Sequence, residues 1–196
     1  MSGGTFPTAG FNAMELKSNT QTRSTQTLSG RTQRSQINSQ YFSFKLVSPP
    51  LTRTEYAPIM AFIMKQGGKF GSFTVVPPLL SSTAGTAAGT HTITTNYAAG
   101  VSTVVANGGS GTFKTGDLIK FSNHDKVYML TADTNADTDS TDTFEIYPPL
   151  RTAITNSTTI VYDNVPFKVF LTSDTVQTNV GNPELFTYEI TVREDT

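Results

Sequence analysis

Residues 41–78, YFSFKLVSPPLTRTEYAPIMAFIMKQGGKFGSFTVVPP, read as strand, helix and strand, and the remaining segments arrange themselves around them. Phe42, Phe44 and Leu46 alternate with Ser43 and Lys45 in the two-residue period of a half-buried strand, which Pro49-Pro50 ends. Thr52 or Thr54 can cap a helix with Glu55 in its first turn. Ile59, Phe62, Ile63 and Gln66 then keep helical spacing until Gly67-Gly68 stops it. Pro58 is expected early in this helix, where a missing amide proton costs little. Phe70 to Val76 follows as a second strand, closed by Pro77-Pro78.

On the N-terminal side, residues 17–40 (KSNTQTRSTQTLSGRTQRSQINSQ) hold Arg23, Arg31 and Arg34 in Ser, Thr, Gln and Asn, with Leu28 and Ile37 as the large apolar side chains. Such a segment cannot bury enough apolar surface to offset its ordering entropy. It is read as an arm, flexible by itself or ordered by a neighbour, and Arg23, Arg31, Arg34, Leu28 and Ile37 are its candidate inter-subunit contacts. On the C-terminal side, residues 79–111 turn to small residues with β-branched runs at 92–95 and 103–105. Strands are expected at 117–121, 126–130 and 143–147, and Pro148-Pro149 marks the exit of this module. Longer alternating strands return at 165–171 and 185–192. Their sets Val165, Phe167, Val169, Leu171 and Phe186, Tyr188, Ile190, Val192 can cover the helix and the two early strands.

The expected fold is therefore mainly β: a discontinuous β-sandwich-like domain with one helix, plus an inserted small β-barrel. Residues 1–78 would supply the arm and the first half of the outer domain, 79–162 the barrel, and 163–196 the second half.

The 196 residues suit one domain of ordinary size with an insertion. There is no cysteine, so disulfides, thiolate metal sites and cysteine nucleophiles are excluded. No stretch approaches the roughly 20 apolar residues of a membrane helix, and no basic-then-apolar leader opens the chain, which reads as soluble and unexported. Residues 1–78 carry eight Lys and Arg against Glu15 and Glu55, a balance of +6; residues 79–196 carry six against thirteen acids, a balance of −7. The basic residues are dispersed, without the aromatic interleaving of a single-strand binder, so sequence-specific nucleic-acid binding is not expected. Opposite charge on the two parts suits subunits that stack basic face on acidic face.

Candidate chemistry is sparse. Gly111-Thr-Phe-Lys-Thr-Gly116 has the glycine spacing of a phosphate loop, but Asp117 stands where a lysine is needed, and an acid repels phosphate. Asp133, Asn135, Asp137 and Asp139 begin like a calcium loop. Thr138 occupies the sharp-turn glycine position and Phe144 the bidentate glutamate position, so a solvated hairpin tip is the better reading, with weak calcium binding left open. His91 and His124 are too few for a histidine metal site without carboxylate help, and no Gly-x-Ser-x-Gly elbow occurs. His124, between Asn123 and Asp125 and ahead of a strand, is read as part of a turn. No catalytic, metal or cofactor residues are assigned.

Five segments in order, SGRTQRSQ, residues 41–78 as quoted, KTGDLIKFSNHDKVYMLTAD, FEIYPPL and VPFKVFLTSD, resemble the tail-tip and baseplate proteins of tailed bacteriophages, of the distal-tail kind. In that family a glycine is expected where Asn123 stands, and asparagine tolerates the left-handed conformation such a glycine takes. The resemblance implies no catalytic residues. It implies a virion structural protein made in the host cytoplasm: a homo-oligomeric ring, six-fold or stacked on a six-fold hub, joining the tail tube protein to the baseplate hub and tail fibre proteins. Two rivals are weighed. One is a host-surface or carbohydrate-binding module, whose sugar platform would come from Tyr97, Tyr128 or Tyr147, or a neck or head-associated structural protein. The other is a small cell-wall hydrolase, for which no convergent acid, base and nucleophile set is visible.

Overall fold

The computed structural model describes residues 3–7, 11, 13–136, 141–181 and 185–196. The strands in chain order are β1 (Ala13–Gln26), β2 (Thr32–Val47), β3 (Ser72–Val75), β4 (His91–Ile93), β5 (Thr103–Asn107), β6 (Gly111–Phe113), β7 (Leu118–Phe121), β8 (Val127–Leu130), β9 (Thr134–Ala136), β10 (Thr141–Tyr147), β11 (Thr159–Val161), β12 (Phe167–Leu171), β13 (Gln177–Gly181) and β14 (Leu185–Glu194). One helix, α1 (Arg53–Lys65), follows β2. The mainly β class, the single helix and the closed barrel are as the sequence led us to expect.

An outer sheet runs in the order β1-β2-β14-β12-β3, with β13 also pairing β14. Its inner face is built by the alternation seen in the sequence: Phe42, Phe44 and Leu46 from β2, Phe73 and Val75 from β3, Phe167, Val169 and Leu171 from β12, and Tyr188, Ile190 and Val192 from β14 are all buried. Phe6 and Phe11 add to this core, as do Ile59 and Ile63 of α1. Full burial of each such aliphatic side chain contributes about 1.5–3 kcal/mol. At the start of α1, Thr52 is the capping residue, and the Glu55 carboxylate of the first turn accepts from its amide at 3.0 Å and from its hydroxyl at 2.8 Å.

The barrel closes as β10-β5-β4-β11-β7-β8 around Val104, Phe113, Ile119, Phe121, Tyr128, Leu130, Phe144 and Ile160. Strands β7 and β8 read as nearly continuous apolar runs because they are buried on both faces. Ile119, Phe121, Tyr128 and Leu130 point into the barrel, whereas Leu118 and Val127 join the core of the outer sheet.

Several local readings are corrected. Residues 17–40 are not a free arm: they form the greater part of the β1–β2 hairpin, paired from Ala13↔Val47 to Gln26↔Thr32 with residues 27–31 as its turn. Threonine-rich strands and the turn at Gly30 (φ 83) suffice for pairing where side-chain burial does not. Pro58 is the sixth residue of α1, one turn too late for a free amide, so the hydrogen bond its nitrogen would have made is lost. Phe70 ends a short 3-10 turn, 88 % exposed, and the strand begins only at Ser72. The segments at 111–113 and 134–136, read as turn and hairpin tip, pair as a two-stranded ribbon. β11 and β13 were not foreseen, being short and polar at their ends.

Candidate functional site

The inward-facing row of β14 is Tyr188, Ile190, Val192 and then Glu194; that of β2 is preceded, in phase, by Gln40. Antiparallel pairing of Val192 with Phe44 brings the two polar ends together beneath the barrel. There the Glu194 carboxylate accepts from the Lys126 ammonium at 2.5 Å, from the Phe42 amide at 3.0 Å and from the Val127 amide at 3.0 Å. Lys126 also donates to the Gln40 carbonyl oxygen at 2.8 Å and lies 4.9 Å from the centre of the Phe42 ring. Gln40 in turn donates to Ser18 at 2.9 Å. The side chains of Lys126 and Glu194 are 2 % and 0 % exposed. Burial pulls the Lys126 ammonium below its usual pKa, against the attraction of Glu194.

One buried network thus joins β1, β2, β14 and the β7–β8 turn, clamping the barrel onto the sheet. A second pair of links lies beside it: Asp125 accepts from Lys120 of the barrel at 2.9 Å and from Lys168 of β12 at 3.0 Å. Burial pushes the Asp125 carboxyl up, but the two lysine hydrogen bonds together outweigh it, and its pKa lies below the usual value. The crevice outside this junction, about 320 Å³, is lined by His124, Asp125, Lys126, Arg151, Thr152 and Lys168, with Asp195 and Thr196.

His124 sits in the β7–β8 turn, as the sequence suggested. Its Nδ1 faces the Asn123 side-chain oxygen and its Nε2 the Tyr128 hydroxyl, both at 2.8 Å. Burial first, and then Lys120, hold its pKa below the ordinary value. Asn123 is not left-handed; its amide instead donates to the Ala153 carbonyl at 3.0 Å, tying the turn to the segment before β11. His91 is 1 % exposed, with its ring edge-on to Phe113 at 4.9 Å and Tyr162 at 5.3 Å.

In the remaining sequence motifs the described acids hold loops together. Asp117, in the place of a phosphate-loop lysine, accepts from the Lys114 and Ala84 amides at 2.8 Å each and from the Thr83 hydroxyl, pinning two loops. Asp133, the first ligand position of the calcium-like run, is taken up by Lys114 at 2.7 Å and by the Thr115 amide and hydroxyl at 2.8 Å each; these bonds lower its pKa to about 2. Asn135 is paired in β9, and Asp137 and Asp139 lie outside the described residues. Among the described residues no group of three or more His, Asp or Glu could hold a metal ion. Of the tyrosines named for a sugar platform, Tyr128 is fully buried, while Tyr97 and Tyr147 are half-buried and the Tyr97 hydroxyl accepts from the Val105 amide at 2.9 Å.

The five arm residues are all brought onto the β1–β2 hairpin. Arg23 pairs across from Ser35 and Arg34 from Ser24, with Leu28 and Arg31 in the closing turn and Leu28 fully exposed. Ile37 pairs with Gln21 through the backbone, and its side chain lies outside the described residues. The Lys126, Glu194 and Gln40 clamp escaped sequence reasoning. Its signal was present: a charged and an amide residue standing in the buried phase of two otherwise apolar strands.

Residues 82–165 match the family model described as Distal tail protein pb9, B domain. Among curated proteins none matches the chain. The matched segment holds all six barrel strands, from His91 to Val161, and covers less than half of the chain. The resemblance to distal tail proteins of phages is shown over this module, and it supports a structural, non-enzymatic role in a bacteriophage tail.

Proposed function

We propose that this protein is a ring component at the distal end of a phage tail, joining the tail tube to the hub and fibres. The observation that carries the reading is the match of the inserted barrel to a distal tail protein domain. In this reading residues 1–78 and 163–196 form the ring and the barrel of 79–162 faces outward to other baseplate proteins.

The outer sheet supports self-association. β1 lies at one end with its outer edge unpaired by any described strand; toward the other, β13 pairs only β14 among the described strands, whereas β3 is covered by residues 4–6, whose Phe6 amide donates to the Thr74 carbonyl at 2.7 Å. Unpaired edges at opposite ends of one sheet are satisfied by a neighbouring copy in a head-to-tail ring, which removes the edges altogether. The β1–β2 hairpin presents Arg23, Arg31 and Arg34 with no acid between residues 16 and 54, whereas the later part of the chain is acidic. A two-stranded ribbon of polar residues is marginal by itself, so a neighbour's surface would complete its burial.

The test is electron microscopy of intact particles labelled with gold-coupled antibody against this chain. Label confined to the distal tail end, over six-fold density, is the expected result. Label at the neck or head would keep a virion role and remove the distal assignment. Particles that carry no label would end the structural reading.

A further inference from the structure

Where the chain leaves the outer sheet for the barrel it makes a strained turn around an exposed apolar side chain. Leu79 has φ 65, in the left-handed region, and the Leu80 amide donates to the Pro78 carbonyl at 2.8 Å. This closes a three-residue γ-turn of the rare, positive-φ kind with Leu79 at its centre. A residue with a Cβ is held there only against its own preference. The return crossing also has a left-handed residue, but it is Asn164 (φ 50), a type that tolerates the conformation.

Among the described residues nothing covers Leu79. Its side chain is 95 % exposed and that of Leu80 45 %. Nor is the turn a loose loop. Pro77-Pro78 stiffens its entry, and on its far side the Val165 amide donates to the Ser81 carbonyl at 2.9 Å and the Ser82 hydroxyl to Asp163 at 2.5 Å. The leucine is presented outward on a fixed base.

A receiving surface exists on the same chain. A cleft of about 330 Å³ between the hairpin and the barrel is lined by Gln36, Ser102, Ile146, Tyr147 and Pro149. Its wall is mainly apolar and shares no residue with the turn. The charges beside the two features are opposite: Asp163 is exposed next to the turn, and Arg34 is exposed two residues from Gln36.

We propose that Leu79 of one copy seats in the Tyr147–Pro149 cleft of the next copy, as the apolar centre of the subunit contact. This rests on the ring reading above. A knob and a cleft on different patches of one chain make a heterologous contact, which closes into a ring when the rotation allows. Burial of the leucine in the neighbour compensates the backbone state that the isolated chain holds at a cost.

Sedimentation of the full chain tests this, with Leu79→Gly as the knob variant and Ser102→Trp as a plug in the cleft. Glycine accepts positive φ, so Leu79→Gly should leave the thermal midpoint of the monomer unchanged or raised while weakening association tenfold or more. Ser102→Trp should weaken association similarly. An equimolar mixture of the two should recover paired subunits, because a knobless copy keeps its cleft and a plugged copy keeps its knob. Association of Leu79→Gly at wild-type strength would overturn the knob while leaving the ring intact, and failure of the mixture to pair would overturn the chosen cleft. A wild-type chain that stays monomeric at every concentration would remove the ring reading and this contact with it.

Discussion

His91 is a residue whose charge the fold disfavours. Its Nε2 is buried with no hydrogen-bond partner among the described residues, and burial lowers its pKa while Asp142 opposes the shift. In the unfolded chain the ring takes up a proton near the ordinary value of about 6.5, and in the folded chain only at lower pH. The unfolded state therefore binds more protons in that interval. Stability should fall as the pH drops through about 6.5 and level off below the folded value. His91→Phe, which keeps a ring against Phe113 and Tyr162, should flatten this part of the profile in thermal melts taken between about pH 8 and pH 5. An unchanged slope would assign the effect to His124, which is shifted in the same direction. The ring also explains a glycine: a Cβ on Gly109, at φ 67, would run into the His91 ring and the Ala88 carbonyl. Gly109→Ala should cost about 2–3 kcal/mol in urea denaturation, from overpacking added to backbone strain. Gly116→Ala, at φ 95 with open space around it, should cost only about 1 kcal/mol.

Between elements, the decisive contact is the clamp of Lys126 and Glu194 under the barrel. Removing Glu194 strands the buried Lys126 charge together with the amides of Phe42 and Val127, and removing Lys126 strands the buried Glu194 carboxylate. Glu194→Leu or Lys126→Met alone should destabilise by about 3–5 kcal/mol, whereas the double variant should lose less than the sum of the two, the cost that remains being the amides of Phe42 and Val127 left without their acceptor. Urea denaturation of the four proteins of this cycle measures the coupling. A double variant as unstable as the sum of the singles would mean that the pair does not act as a unit. The barrel and sheet share a core through Leu118 and Val127, so both parts should unfold together in the wild type.

At the scale of the whole molecule, the outer half of the hairpin, residues 22–36, extends the sheet without adding to its core. Replacing residues 22–36 by Asn-Gly should leave the melting behaviour nearly unchanged while abolishing self-association, as read by light scattering. The cut spares Ser18 and Gln40, which belong to the buried clamp; a deletion of the full 17–40 would damage the core and confuse the result. If charge steers the docking, association should also weaken as salt rises from about 0.05 M to 0.5 M. Association that is indifferent to salt would leave Arg23, Arg31 and Arg34 without the part proposed for them.

What the sequence determined by itself was everything carried by a local period. The alternation in β2, β12 and β14 and the helical spacing of Ile59 and Ile63 placed the sheet strands and the helix, because burial of one face imposes its period on the chain, whereas Pro148-Pro149, expected at the exit of the barrel, precede its strand β11. The β1–β2 turn at Gly30 was not legible, because a ribbon held by backbone pairing without burial leaves no hydrophobic period to read. Only the tertiary structure decided the partners of the polar residues. Glu194 and Lys126 are 68 residues apart, and Glu194 and Phe42 152, so their meeting follows from strand register and barrel placement. The same holds for Leu79: its exposure and strain depend on two crossings stitched side by side, a long-range geometry that no local window of sequence contains.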